Sequence, residues 1–219
     1  MENNFTIQEL INEAVKREEK DKEQTSWHAS SLGGCLTGDY LVRKGIAKKE
    51  FDDRTLRVFG AGRMFEDWLI GLIAKKTKKF KKQVRVEWKE MNLTGYADLV
   101  INGLVYEIKT IHSFGLKHLE KNGAKDQHKM QLWCYLKGLK KKEGRIIYLE
   151  KNSLIVKEYP LFIDDPIEKK VVEELKILNR AWDKQLPPPP VRDPEDWRYR
   201  YCSLHGICLK QIKYLDENS

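Results

Sequence analysis

Apolar residues along the chain recur at two spacings. At helical spacing, Phe59, Phe65, Leu69, Leu72 and Ile73 form one stripe starting around Thr55. Ile167, Val171, Leu175, Leu178 and Trp182 form another behind Asp165, a capping residue, and Pro166, a first-turn proline. Thr6 and Glu9 make a capping box and Phe5 with Leu10 a hydrophobic staple, so a charged helix is expected to about Lys20. Further helices are expected from Ser30 or Ser31 to about Gly45, and from Asp126 to Leu139. At alternate spacing, Val84, Val86 and Trp88 mark a strand, and Gly95–Thr110 and Arg145–Tyr159 read as hairpins, the second turning at Lys151-Asn152-Ser153. The pattern predicts an α+β fold, a mixed and mostly antiparallel sheet flanked by helices.

The first hairpin carries charge where packing residues would serve. Asn102-Gly103 is the signal for a two-residue type I′ turn. That turn aligns Ile101 with Leu104, Leu99 with Tyr106 and Asp98 with Glu107. One face then holds Ala97, Leu99, Ile101, Leu104, Tyr106 and Ile108, and the other Asp98, Val100, Val105, Glu107 and Lys109. Directly opposed side chains have Cβ atoms roughly 4.5–5.5 Å apart, where like charges repel. A divalent cation between the carboxylates removes the repulsion, and hard oxygen ligands suit Mg²⁺ or Mn²⁺. Lys109 can then face an anion bound to that ion, an arrangement suited to phosphodiester attack. The same residues also fit a plain surface, with Glu107 paired to Lys109 and Asp98 capping a turn.

Gly95-Tyr96-Ala97-Asp98 followed by Glu107-Ile108-Lys109 resembles the G-x-x-D…E-x-K core of the PD-(D/E)XK nuclease superfamily, although Ala97 stands where many members have proline. Gln131 and Tyr135 resemble the Q-x-x-x-Y motif of its RecB-type branch, and Glu66, four residues after Gly62, matches an upstream helix ligand. The resemblance implies a restriction-endonuclease-like core and a catalytic set of Glu66, Asp98, Glu107, Lys109, Gln131 and Tyr135. In it, Glu66, Asp98 and Glu107, with the Ile108 carbonyl, hold Mg or Mn. Lys109 polarises the attacking water, and Gln131 and Tyr135 orient the DNA strand.

A subset of that branch, including CRISPR-associated and phage exonucleases, adds an iron–sulfur cluster bound by one cysteine before the core and three after it. Cys35, Cys202 and Cys208 match three of these positions, while the fourth falls near Tyr199. Cys134 lies within the Q-x-x-x-Y segment and reads as core. Three arrangements stay open: an incomplete cluster site, a zinc site completed by His205, or free thiols. Residues 1–186 read as the nuclease domain with an N-terminal helical region. Residues 187–219 read as a proline spacer, Pro187 to Pro190, and a tail packing back near Cys35.

Charge adds a partner. Lys and Arg number 41 against 33 Asp and Glu, a net charge of +8, which favours polyanions. Lys75, Lys76, Lys78, Lys79, Lys81 and Lys82 cluster around Phe80 and are candidate DNA-binding residues. Trp27, Trp88 and Tyr96 are candidates for base stacking. No apolar run is long enough for a membrane span, and the first residues lack a secretory pattern. A cytoplasmic protein is expected, or one of the host cytoplasm if viral. The reading is a metal-dependent DNA nuclease acting on single strands or ends, in recombination, replication or CRISPR adaptation. Two others remain: a DNA-end-binding subunit for a helicase or integrase partner, and a restriction-type endonuclease.

Overall fold

The computed structural model describes residues 6–16, 24–200, 202, 204, 206–208 and 210. Its helices are α1 (Ile7–Val15), α2 (Leu36–Arg43), α3 (Asp53–Ala74), α4 (Ser113–Asn122), α5 (Asp126–Gly138), α6 (Ile167–Lys184) and α7 (Trp197–Arg200). Its strands are β1 (Trp27–His28), β2 (Phe80–Trp88), β3 (Leu93–Ile101), β4 (Leu104–Ile111), β5 (Glu143–Glu150) and β6 (Val156–Phe162). They form one mixed sheet of six strands, flanked by helices, in the order β1-β3-β4-β5-β6 with β2 also on β3. The β1–β3 and β4–β5 pairs are parallel, and the rest antiparallel.

Local signals account for most helix ends. The Thr6–Glu9 capping box forms, but α1 stops at Val15, short of Lys20; Phe5 of the expected staple lies outside the described residues. Asp52 caps α3, accepting from the Thr55 N–H at 2.7 Å. The Asp165 carboxylate accepts from the Ile167 N–H at 2.9 Å, at the start of α6. The helix expected from Ser30 or Ser31 starts later. Ala29–Ser31 is a single 3-10 turn, and Gly33 at φ +77 breaks the path, so α2 begins only after Cys35. Helix α4 escapes the apolar pattern because it buries only Leu119.

Helix α5 sits against the sheet with every residue from Met130 to Leu136 buried. Around it lies the main core, which takes Val86, Ala97, Val105 and Ile146 from the sheet and Val171, Leu175 and Leu178 from α6. A smaller cluster of Ile70, Leu99, Ile108 and Ile147 is covered by α3 through Leu69 and Ile73. The stripe expected on α3 is therefore displaced: Ile70 is its buried centre, while Phe59 and Leu72 stay largely exposed. Trp27, a stacking candidate, is 1% exposed and packs edge-on against Trp182 at 5.8 Å. Trp88 is half-buried against Trp133 at 5.7 Å. Tyr96 alone of the three is open, at 52%. Among the described residues, no helix is long and apolar enough to cross a membrane.

The expected facing of the first hairpin holds on β4 and fails on β3. Ala97 joins the main core while Leu99 joins the smaller one, although strict alternation would put both on one side. The neighbouring strand slips at the same rung. Val84 and Val86 face the main core and Phe80 the other, and Gln83, opposite Asp98, drops out of the ladder with φ +49. An irregularity of this kind re-aims side chains within a sheet.

Candidate active site

The turn at Asn102-Gly103 forms as expected, and β3 and β4 pair at Ile101–Leu104, Val100–Val105 and Leu99–Tyr106. Pairing then stops. Asp98 and Glu107 do not face each other as a ladder pair; β4 continues parallel to β5 as far as Ile111, and β1 takes the vacated edge of β3 at Leu93 and Thr94. Asp98 fills the fork, its Oδ2 accepting from the Ile108 N–H at 2.7 Å.

The remaining charged groups converge on this fork. Glu107, 1% exposed, pairs with Lys109 Nζ at 2.6 Å. From α3, Glu66 reaches it through Gln83, whose Nε2 donates to Glu66 Oε1 at 2.8 Å and to Asp98 Oδ1 at 3.4 Å. Gly62 places α3 beside β4, and a Cβ there would make only ordinary contact with Thr110 Oγ1, at 3.6 Å. Gln83 was not among the expected site residues. The one hint in sequence is its place opposite Asp98, visible only once β2 is paired with β3.

The electrostatics are those of crowded acids. Burial and the neighbouring Glu107 push the Asp98 carboxyl up to about 7. Burial, then Asp98, raises Glu66. Burial raises Glu107 despite Lys109, and its carboxyl is near enough to hydrogen-bond with that of Asp98. Lys109 is opposed by burial, yet the carboxylates of Glu107, Asp98 and Glu66 hold its ammonium above the ordinary lysine range. Glu107 Oε2 is buried without a hydrogen-bond partner. An orphaned oxygen among three acids of raised pKa fits a hard divalent cation.

Gln131 and Tyr135 lie behind the fork. They are 6% and 2% exposed, and Gln131 Nε2 donates to the Tyr135 hydroxyl at 2.8 Å. Burial, then the charges of Glu107 and Asp98, raises the Tyr135 phenol. Gly95 makes room for this ring, since a Cβ there would lie 2.6 Å from Tyr135 Cε1. Gly95→Ala is accordingly expected to cost about 1–3 kcal/mol, read as a lower urea midpoint with unchanged slope. Beside them His128 Nδ1 stands 2.8 Å from the Tyr148 hydroxyl, and burial, with Lys109 and Lys125, brings the imidazole down to about 3. It is neutral at physiological pH.

The lysines at 75, 76, 78, 79, 81 and 82 are all exposed. The thiols behave differently: Cys35, Cys202 and Cys208 have sulfurs within 4.8 Å of one another, the one trio of metal-ligating side chains this tight among the described residues. The carboxylates at the fork stand wider. A hydrogen bond with Cys208, and another from the Gly38 N–H, bring the Cys35 thiol down to about 6. The thiols of Cys202 and Cys208 are raised. Cys134 is fully buried in the main core, and His205 lies outside the described residues.

Sequence comparison finds no matching family model and no matching curated relative. Solved structures do match in shape. The crystal structure of SSO0001 superposes with a TM-score of 0.62 at 20% identity, over 93% of this chain and 96% of that one. An alkaline exonuclease (LHK-Exo) from Laribacter hongkongensis gives 0.53 at 11% identity, over 74% of this chain and 90% of that one. The same exonuclease in complex with dAMP gives 0.50 at 12% identity, over 73% and 92%. The chain thus shares its α+β fold, a mixed six-stranded sheet flanked by helices, with known exonuclease structures.

Proposed function

We propose that this chain is a metal-dependent DNA nuclease of the PD-(D/E)XK type, an exonuclease acting on single strands or DNA ends. Trimming of recombination, replication or CRISPR-adaptation intermediates suits that activity, alongside a helicase or integrase partner. The observation that carries it is the opening of the β3–β4 ladder at Asp98 and Glu107, where two acids, a third from α3 and an ammonium meet. A well-packed hairpin has no use for that grouping, because burial penalises every member.

Glu66, Asp98 and Glu107, with the Ile108 carbonyl, would hold Mg²⁺ or Mn²⁺. Such an ion supplies Lewis acidity and lowers the pKa of water. The chain's own groups do the rest. Asp98 is fixed by the Ile108 N–H, so its other oxygen, the one that Gln83 reaches, has one orientation. Lys109, held by Glu107, presents a fixed positive charge where the phosphate gains negative charge as water adds and the P–O bond breaks. Gln131 and Tyr135, buried and bonded to each other, form a rigid floor behind the carboxylates. Labelled single-stranded DNA with Mn²⁺ tests the reading: wild type shortens it and Asp98→Ala does not. Equal degradation by both proteins defeats the assignment.

The thiol trio has soft donors at metal-site spacing, suited to zinc or an iron–sulfur cluster rather than to Mg²⁺. Protein purified without oxygen is expected to carry stoichiometric zinc, or iron with visible charge-transfer absorption. Cys35→Ala removes whichever is present, as read by elemental analysis. Equal metal content in both proteins rules the site out.

A further inference from the structure

The basic run before the sheet does not act alone. Lys78, Lys79 and Lys81 meet Lys141 around a groove of about 630 Å³, floored by Val84, Val100 and Leu139, with Phe80 at its edge. At Lys141 this groove adjoins a larger one of about 1070 Å³, lined by Arg85, Trp88, Lys137, Lys140 and Lys142, with Glu87 and Glu90 at its side. Lys141 lies over the hairpin turn, its Nζ 3.5 Å from where a Cβ on Gly103 would stand. Lys137 Nζ is 5.7 Å from the Trp88 ring centre. Among the described residues, none of Lys78, Lys79, Lys81, Lys140, Lys141 or Lys142 forms an ion pair.

We infer that these adjoining grooves are a second nucleic-acid track, holding a single strand away from the point of cleavage. The inference deepens the nuclease reading, on which it rests for the nature of the substrate. Lysines crowded without carboxylate partners repel one another, and a chain of phosphates relieves that repulsion with release of counterions. The apolar floor selects the form of nucleic acid. A duplex hides its base faces, whereas a single strand lays them against the half-buried Trp88 and the aliphatic side chains that line the grooves while its backbone follows the lysines. Between the Asn102-Gly103 turn and Asp98 the strand runs four to five residues, ~15 Å. A nucleic acid spanning both places therefore bridges several phosphates, and very short strands cannot use the track.

The test measures binding with divalent ions chelated, so that nothing is cut. Lys141→Glu/Lys142→Glu is compared with wild type on a labelled oligothymidylate of about 20 nucleotides, long enough for the usual span of such grooves. The expected result is an affinity about tenfold lower near 0.1 M salt, with the slope of log K against log salt shallower by about 1.4 for two lost contacts. A duplex of equal length is affected less. Lys141→Gln/Lys142→Gln is expected to show the slope change without charge reversal, and thermal melting checks that each variant is folded. Unchanged affinity for the strand overturns the inference, as does an equal or larger loss on duplex, and so does preference of the groove for an acidic polypeptide over the strand. Because cleavage never enters, a failure of the nuclease reading appears separately, as intact strand binding in a protein that hydrolyses nothing.

Discussion

Lys109→Met is expected to slow DNA cleavage by a factor of about 10²–10³ and to cost about 3 kcal/mol of stability. Adding Glu107→Gln restores the stability and leaves the rate lost. The two effects share one contact, the 2.6 Å pair between Lys109 Nζ and Glu107. For the rate, Lys109 is the ammonium paired with a fork carboxylate among the described residues, and removing a single preorganised stabiliser of developing charge costs rate on that scale. For stability, Glu107 is 1% exposed and its second oxygen has no partner. Without Lys109 its charge is stranded, and breaking a buried pair from one side costs about 3–5 kcal/mol. Lys109 is itself 27% exposed, which places the loss at the lower end. A neutral amide at position 107 removes the stranded charge and can donate to Asp98. Urea denaturation in chelator and cleavage in Mn²⁺ read the two quantities separately. A double variant as unstable as Lys109→Met, or one that regains activity, contradicts the account.

The same fork marks the boundary of what the sequence discloses. Asn102-Gly103 is sufficient to set the register as far as Leu99–Tyr106, because a type I′ turn leaves the strands one alignment. It says nothing of the next rung. There the structure depends on Gln83 adopting φ +49, a conformation that glycine or asparagine would have advertised and glutamine does not. The slip that moves Ala97 to the α5 side, and the Gln83 bridge to Glu66 and Asp98, are for that reason invisible without the paired strand. Glu66 is legible only through resemblance, since its contacts come from a helix distant in sequence. Helix α6 is fully legible: four residues of its stripe, Ile167, Val171, Leu175 and Leu178, are buried as the spacing demands. The α3 stripe is not, because that helix covers a small cluster with one flank and leaves the other open. The cysteine trio is legible in part, since the motif positions come together while the Cys35 cap on α2 belongs to the fold.

Asp98→Asn is expected to make the ion-free protein more stable at pH 7 and to make little difference at pH 4, while abolishing cleavage. Asp98 titrates near 3.8 unfolded and is held at about 7 in the fold. Below pH 4 it is protonated in both states and costs nothing. Between 4 and 7 the folded chain binds a proton that the unfolded chain has released, so stability falls as pH rises across that window and levels off above it. The displacement sets a ceiling of ~4 kcal/mol. Solvent at the half-buried carboxyl and the proximity of Glu107 reduce this to on the order of 2 kcal/mol, or about 4–8 °C in melting temperature for a chain of this size. His128, held at about 3, works the other way. Its contribution is full above pH 6.5 and is lost on acidification, but it is common to both proteins and cancels in their difference. Mn²⁺ is expected to supply the opposing sign: bound by the three carboxylates, it would raise the melting temperature of wild type at pH 7 and do little for the asparagine variant. Melting curves of both proteins from pH 4 to 8, with chelator and with Mn²⁺, therefore cross. A difference between them that stays constant across that range means that Asp98 carries no strain into the fold, and the case for a cation held at the fork goes with it.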